Sequence, residues 1–563
     1  TKTVNLAIGD NTYYIFVENG KDIRLYTVFI RRRPIYTVTF DSNGGTEVEQ
    51  QQVEEDSRIS APKTERLGYA FVGWSCDFSK PIVKDEVVIA SWNIITYKIT
   101  YDVNGGENPS ENPSTYTVED DVMLLAPIKT EHVGTWSNGG QIPKGSTGDK
   151  HFVASYTINR YDVMVSTSNC AVSGDGMHDF ASQITLTATP YLGYDFVGWY
   201  DGDTLLSKEN ILVFTMPASD RTIIAKTMVK TEMQNFLFDS TIDNCAITGI
   251  ENKSITELTI PDFVTGIGEG AFNGCSSLEC ITIPFVGAKA GVKSNAMYQY
   301  PFGYIFGTSS YDGSVATKQY YYSDNINSAT FSTYYIPSSL KYVTVTCGSI
   351  LYGAFSGCSG LTSVTIPDSV TSIGSSAFSG CSGLTSITIP NSVRSIDSSA
   401  FSGCTGLTSV TIPDSVRSID SSAFYGCTGL TSVTIPDSVR SIGSSAFYNC
   451  TGLTSVTIGN GVTSIGSSAL CGCTGLTSVT IGKSVTDIGI SAFYNCSGLT
   501  KILVANGNAK YHSAGNCLIE TKSKSLILGC ESSIIPSDGS VTSIGNSAFS
   551  GCSGLTSVTI PDR

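Results

Sequence analysis

Seventeen cysteines and four histidines are the residues best able to carry chemistry, and their spacing decides which chemistry is open to them. His132, His151, His178 and His512 are scattered along the chain, and neither H-E-x-x-H nor a pair of C-x-x-C motifs occurs to gather the ligands of a zinc site. Cys471-Gly-Cys473 comes nearest and reads as a repeat-to-repeat substitution beside a core cysteine. Gly482-Lys483-Ser484 ends like a phosphate loop, but Thr477 stands where the first glycine belongs and a strand passes through the motif. Asp397 and Asp420 recur at one place in adjacent repeats, as a carboxylate pair for acid and base work would. Arg394 and Arg417 recur with them, which favours a mixed ladder on a solvated edge. Asp41 and Asp102, each before Asn-Gly-Gly, lack the rest of a calcium loop and read as hairpin turns. No catalytic, metal-binding or cofactor-binding residue is expected, and the chain reads as non-enzymatic.

What the cysteines do reveal is a period. Along Cys358, Cys381, Cys404, Cys427, Cys450, Cys473 and Cys496 every gap is 23 residues, without insertion. Each unit reads like Leu361-Thr-Ser-Val364-Thr-Ile366-Pro-Asp-Ser-Val370-Thr-Ser-Ile373-Gly-Ser-Ser-Ala377-Phe378-Ser-Gly-Cys381. A fixed period in the 20–29 residue window means a solenoid of leucine-rich repeats. Leu361, Val364 and Ile366 alternate as one short inward-facing strand, and Pro367 ends it. Val370, Ile373, Ala377 and Phe378 follow at spacings that suit a turn plus a short helical or 3₁₀ segment. Stacked in register, neighbouring coils lie about 4.8 Å apart, wider than the roughly 3.8 Å between Cβ atoms that a disulfide prefers. The ladder cysteines are therefore expected as buried, reduced thiols.

This pattern resembles the BspA-like leucine-rich repeat, found in surface and secreted proteins of bacteria and some parasitic protists; the resemblance covers roughly Ile255 to Arg563. It implies fold and an extracellular or cell-surface location, with adhesion and host-protein binding as the usual roles, and it implies no chemistry. Upstream, Tyr36-Thr-Val-Thr-Phe40-Asp41-Ser-Asn43-Gly44-Gly45, Gly68-Tyr-Ala-Phe71-Val-Gly73-Trp74 and Ile89-Ala-Ser-Trp92 resemble the Listeria/Bacteroides repeat, or internalin B-repeat, a small β-grasp-like module. A second copy opens at Tyr97-Lys-Ile-Thr-Tyr101 and substitutes His132-Val-Gly134-Thr-Trp136 for the G-Y-x-F-x-G-W string. A more divergent third runs from Tyr161 to Thr227. The alternating segments before Arg33 resemble the closing hairpin of a cadherin-like sandwich.

The fold class expected is thus mainly β: a solenoid of 23-residue repeats preceded by small β-grasp-like modules. Domains are placed at 1–34 (partial cadherin-like β-sandwich), 35–95, 96–158 and 159–229 (three repeats, the second degenerate and the third divergent) and 230–563 (the solenoid). The last includes an N-terminal cap at Phe236 to Ile250 and an aromatic-rich insertion at 285–339. A net charge of −15 with only 34 Lys and Arg argues against nucleic acid. No run of 18 apolar residues offers a membrane span, and no secretory segment opens the chain. Thr1 begins in mid-pattern and Arg563 ends in mid-repeat, as expected of a fragment.

Two surfaces compete as partner sites. The outward ladder Thr365, Thr388, Thr411, Thr434, Thr457 and Thr480 is long but monotonous and suits weak, repeated contacts with a polymer. The insertion gathers Tyr298, Tyr300, Tyr304, Tyr311, Tyr320 and Tyr321, the residue type that anchors interfaces, although such rings also serve to pack a small core. The partner expected is a protein or glycan on a host or neighbouring cell surface, with the N-terminal modules as a stalk. The alternatives are the non-catalytic part of a larger secreted enzyme and a purely structural surface-layer component.

Overall fold

Apolar residues that alternate over three to five positions and then meet proline or glycine cannot sustain a helical period, so the chain folds as strands and turns. The computed structural model describes residues 4–292, 299–322 and 329–560. Two compact units divide the chain. One comprises Thr1–Met164, Gly176–Ile184 and Val213–Arg221; the other comprises Val165–Asp175, Thr185–Leu212 and Thr222–Arg563.

In the first unit, Gly9–Asn19 and Asp22–Arg32 form an antiparallel hairpin that leaves Phe16 and Phe29 largely exposed. The next strands form a mixed sheet. Ile35–Asp41 runs parallel to Glu86–Ile94 at its centre, with Gln51–Glu54 and Tyr69–Trp74 antiparallel outside. The second copy repeats this order with Tyr97–Asp102 and Lys150–Ile158 at the centre. Its altered string keeps the core filled: Trp136 is buried against Tyr101 at 5.2 Å, as Trp74 packs on Phe40 at 5.2 Å. The Asn-Gly-Gly segments are not tight hairpins. Asn43 and Gly44 have φ of 47° and 84°, and Asp41 Oδ1 accepts the Asn43 N–H at 2.8 Å, so a local turn opens a longer loop before the next strand.

In the second unit, Tyr194–Asp201 pairs with Arg221–Val229 in the divergent module. Phe236–Ser240 and Cys245–Ile250 then form a hairpin whose second strand lies parallel to Gly266–Ile267. Phe236, Ile247 and Ile250 are buried there and cover the first coil. Parallel strands follow from Glu257–Thr259 to Lys501–Val504, one per coil, in a six-stranded and then a four-stranded sheet. From Ser363–Thr365 onward their starts step by 23 residues, through Ser386–Thr388 and Ser409–Thr411. Leu384, Leu407 and Leu430 are fully buried, and one continuous core joins Met233 to Cys530.

The second inward set is not helical. Ser372–Ile373 and its equivalents form another parallel ladder, six strands deep, followed by turns. The serine before each alanine sits in the left-handed region, φ 55° at Ser376 and 59° at Ser399, and Gly380 lies at φ 76°. A helix cannot pass through such positions. Their N–H groups instead reach the next coil: Ser376 to Ser398 O at 2.9 Å, Phe378 to Ala400 O at 2.8 Å and Gly380 to Ser402 O at 2.7 Å. The rings of Phe355, Phe378, Phe401, Phe424 and Phe447 consequently stack 5.2–5.3 Å apart.

The insertion leaves the strand register untouched, since Cys280–Ile283 pairs directly with Tyr342–Val345. It supplies a missing turn from its own residues. Phe302–Phe306 is wholly buried, accepting the Phe272 N–H at Ile305 O (2.9 Å) and donating from Phe302 to Ala354 O (2.8 Å). Beyond it, Ser314–Tyr322 and Ala329–Pro337 form an antiparallel hairpin.

Candidate functional site

Each regular coil carries two threonine columns that do different work. Thr385, Thr431 and Thr477 lean along the stack and donate to the carbonyls of Thr362, Thr408 and Thr454 at 3.0–3.2 Å. The column proposed for binding does not. Thr365, Thr388, Thr411, Thr434 and Thr457 are exposed and Thr480 half-buried, and among the described residues their hydroxyls have no side-chain partner. They form a neutral row of hydroxyls at the coil repeat.

The aromatic insertion sorts its rings. Tyr298 lies outside the described residues. Tyr304 is only 7% exposed and packs in the core, so the expectation that it anchors a partner is corrected. Tyr311 is half-buried and its hydroxyl fully enclosed, and burial pushes the phenol well up; it too is a packing residue. Tyr300 and Tyr321 are half-buried, which leaves Tyr320 as the exposed ring of the set. Hairpin alternation explains the division. Thr317, Gln319, Tyr334 and Ile336 point inward, and Gln319 Nε2 donates to Ser356 O at 3.1 Å, satisfying the coil's turn carbonyls. Lys318, Tyr320 and Phe331 point outward. Tyr320 and Phe331 are cross-strand partners with ring centroids 5.9 Å apart, and Lys318 Nζ lies 4.8 Å above the Phe331 ring. This face combines two exposed rings and a cation in a chain of net negative charge.

A further aromatic column had a sequence signal that went unread. Where other coils place Ser379 or Ser402, three carry Tyr425, Tyr448 and Tyr494. Tyr425 and Tyr448 stack at 5.0 Å, and Cys471 takes the intervening rung before Tyr494. Comparing each coil with the consensus would have found them.

The remaining candidates stay inert. Asp397 accepts from Ser395 Oγ at 2.8 Å, while Arg417 Nη1 donates to Asp414 O at 2.9 Å and Arg440 Nη1 to Asp437 O at 3.0 Å. The expected Asp/Arg ladder is therefore not formed: the guanidinium groups close their own turns. The Lys483 N–H donates to Asn460 Oδ1 at 3.2 Å in a turn between strands, with no helix to present a phosphate. His151 and His512 each meet a threonine hydroxyl, at 2.9 and 3.0 Å. Among the described residues no group of three His, Cys, Asp or Glu could hold a metal ion.

The ladder thiols are free and buried. Cys381, Cys404, Cys427 and Cys450 each donate from Sγ, at 3.1 Å, to the carbonyl of the phenylalanine one coil back. Burial pushes the Cys427 thiol up to about 12 and Cys404 well above its ordinary value, so neither forms a thiolate near neutral pH.

Residues 202–294, 316–451, 417–537 and 528–563 match the BspA type leucine rich repeat region, together more than half of the chain. Residues 161–226 match the divergent InlB B-repeat domain and residues 36–90 the Listeria-Bacteroides repeat domain. A Gly-rich protein of Evansella cellulosilytica, named as a membrane protein, is 28% identical over 30% of this chain and 22% of its own length. A second from the same organism, also named as a membrane protein, is 26% identical over 29% of this chain and 28% of its own. The chain thus spans under a third of either relative. Among solved structures, a leucine rich cell surface protein of Faecalibacterium prausnitzii is 25% identical, covering 58% of this chain and 75% of that one with a TM-score of 0.32. A leucine-rich repeat protein of Bacteroides ovatus is 23% identical, covering 58% and 93% with a TM-score of 0.30.

Proposed function

This chain belongs to the BspA-type leucine-rich repeat family, and from that premise we propose that it is a non-enzymatic cell-surface or secreted protein that adheres to a protein or glycan on a host or neighbouring cell. The outward face of the insertion hairpin is the primary contact, and the Thr388 to Thr457 row is a weaker, repetitive one. The observation that carries this reading is the exposure of Tyr320 and Phe331, 41% and 49%, beside Lys318 on an element whose other side is locked into the core. Aromatic anchors on a rigid support are what interfaces spend their affinity on. The modules at 35–95, 96–158 and 159–229 act as a stalk, and the hairpin before them is the edge of a cadherin-like sandwich.

The test is a Tyr320→Ser, Phe331→Ser double variant, assayed as labelled protein on cultured epithelial cells and on extracellular matrix. Deleting Met297 to Thr333 would be a poorer choice, because it removes the buried Phe302–Phe306 turn and Gln319 with the exposed rings. Loss of binding by about tenfold or more, with an unchanged melting curve, supports the proposal. Unchanged binding refutes it.

A further inference from the structure

The turn ladder that ties the coils together stops at one place. From the coil of Phe355 to that of Phe493, each coil donates three N–H groups to the next; the last such set is Ser468 to Ile490 O (2.9 Å), Leu470 to Ala492 O (2.8 Å) and Gly472 to Tyr494 O (2.8 Å). The corresponding donors of the following coil, the N–H groups of Ser491 and Phe493, have no acceptor among the described residues. The sequence explains the gap. Between this coil and the turn at Gly545–Gly551 the chain inserts the strands Tyr511–Ala514, Cys517–Glu520 and Ser525–Leu528, which carry no Ala-Phe turn of their own. Only Gly529 reaches across, donating to Ala548 O at 2.8 Å. The carbonyls of Asn546 and Ser550, equivalent to those that accept ladder bonds in regular coils, receive none among the described residues.

A cavity of about 310 Å³ occupies the place of the absent turn, lined on its apolar side by Ile488, Ile490, Phe493, Tyr494, Ile527 and Leu528. Ile490 is out of pattern. Coils above it carry Ser375, Ser398, Ser421, Ser444 and Ser467 at this position, whereas Ile490 is 83% exposed at the rim, near Tyr494 at 46%. The insertion provides the internal contrast, because there the missing turn is filled by Phe302–Phe306, bonded on both sides.

We propose that this slot binds a short peptide segment of a partner protein as the missing rung of the solenoid. The segment's carbonyls accept from Ser491 and Phe493, its N–H groups donate to Asn546 and Ser550, and an apolar side chain lies against Ile490 and Tyr494. This is edge-strand addition carried out by a turn ladder. The chemistry of the occupant follows from what fills every other rung: small residues beside one apolar or aromatic residue, as in Gly374-Ser-Ser-Ala-Phe-Ser-Gly380.

The probe is the blocked heptapeptide of residues 374–380, titrated into the full chain and followed by hydrogen–deuterium exchange. In the free chain, residues 489–494 should exchange faster than their equivalents at 420–425. Saturating peptide should slow them by about tenfold or more, as expected when open amides gain acceptors. Ile490→Asp, at an exposed position, should abolish the protection while leaving the melting curve unchanged, and a peptide of scrambled order should give none. Slow exchange at 489–494 in the free chain, no saturable protection, or protection that survives Ile490→Asp would each overturn the proposal. Protection that rises with protein concentration without peptide would also overturn it, since a second copy of the chain would then be the occupant. The slot does not include the insertion hairpin, so the outcome is independent of the Tyr320 and Phe331 test.

Discussion

Between Leu361 and Thr500 every inward residue meets a copy of itself, phenylalanine on phenylalanine and cysteine beside cysteine, and the outward residues are mostly serine and threonine. Between Phe302 and Pro337 nothing repeats, yet the segment occupies the same stack, bonds to the same turn carbonyls, and differs chiefly in what it shows to solvent. A repeated coil reaches stability by translation, and the same translation makes its surface uniform. Where the repeat is broken, core positions must be refilled by unrelated side chains, and the surface is released to carry rings and charge. Stability and recognition are thereby assigned to different regions.

The sharpest way to break this comparison is Phe401→Ala. The ring is fully buried between two others at 5.3 and 5.2 Å, and truncation should cost about 3–5 kcal/mol in thermal or denaturant unfolding. A cost near that of Tyr320→Ala, which should stay within about 0.5 kcal/mol, would erase the distinction between the regions.

Thiol chemistry sharpens it further. In the native chain, titration with an aromatic disulfide should detect Cys347, which is exposed, ahead of the ladder cysteines, and after denaturation all seventeen should react. Rapid native reaction of Cys404 or Cys427 would mean that the coils open far more readily than the unbroken stack allows.

The smallest effect is electrostatic. Burial raises the Asp397 carboxyl above its ordinary range, and the charge of Asp420 adds to the shift while the Ser395 hydroxyl offsets part of it. The folded chain then holds this proton more tightly than the unfolded chain. Its favourable contribution is complete below the ordinary carboxylate pKa and disappears as pH rises through the elevated one. Asp397→Asn should therefore stabilise at pH 7, by less than about 1 kcal/mol at so partly solvated a site, and give no gain at pH 3. A larger gain at pH 3 than at pH 7 would reverse the sign.

Period, inward residues and unpaired cysteines were all legible in the sequence, because each follows from apolar spacing and from the width of a parallel ladder. The second ladder was not. Serine has no strong bias toward positive φ, so nothing in Ser376 or Ser399 announces the left-handed turn that excludes a helix; stacking imposes it. Nor could composition separate Tyr304 from Tyr320, since both belong to one aromatic cluster and only the hairpin's alternation sends one inward and the other out. Tyr425, Tyr448 and Ile490 were readable as departures from the repeat and needed only a coil-by-coil alignment.

The most direct measurement is a binding titration that sets the two regions against each other on the same cells. One variant carries Tyr320→Ser with Phe331→Ser, and the other carries Thr388→Ala, Thr411→Ala and Thr434→Ala, each checked to melt as the parent does. The account predicts a loss of about tenfold or more for the first and less than about threefold for the second. The reverse order, with the threonine variant losing binding and the hairpin variant keeping it, would contradict the account.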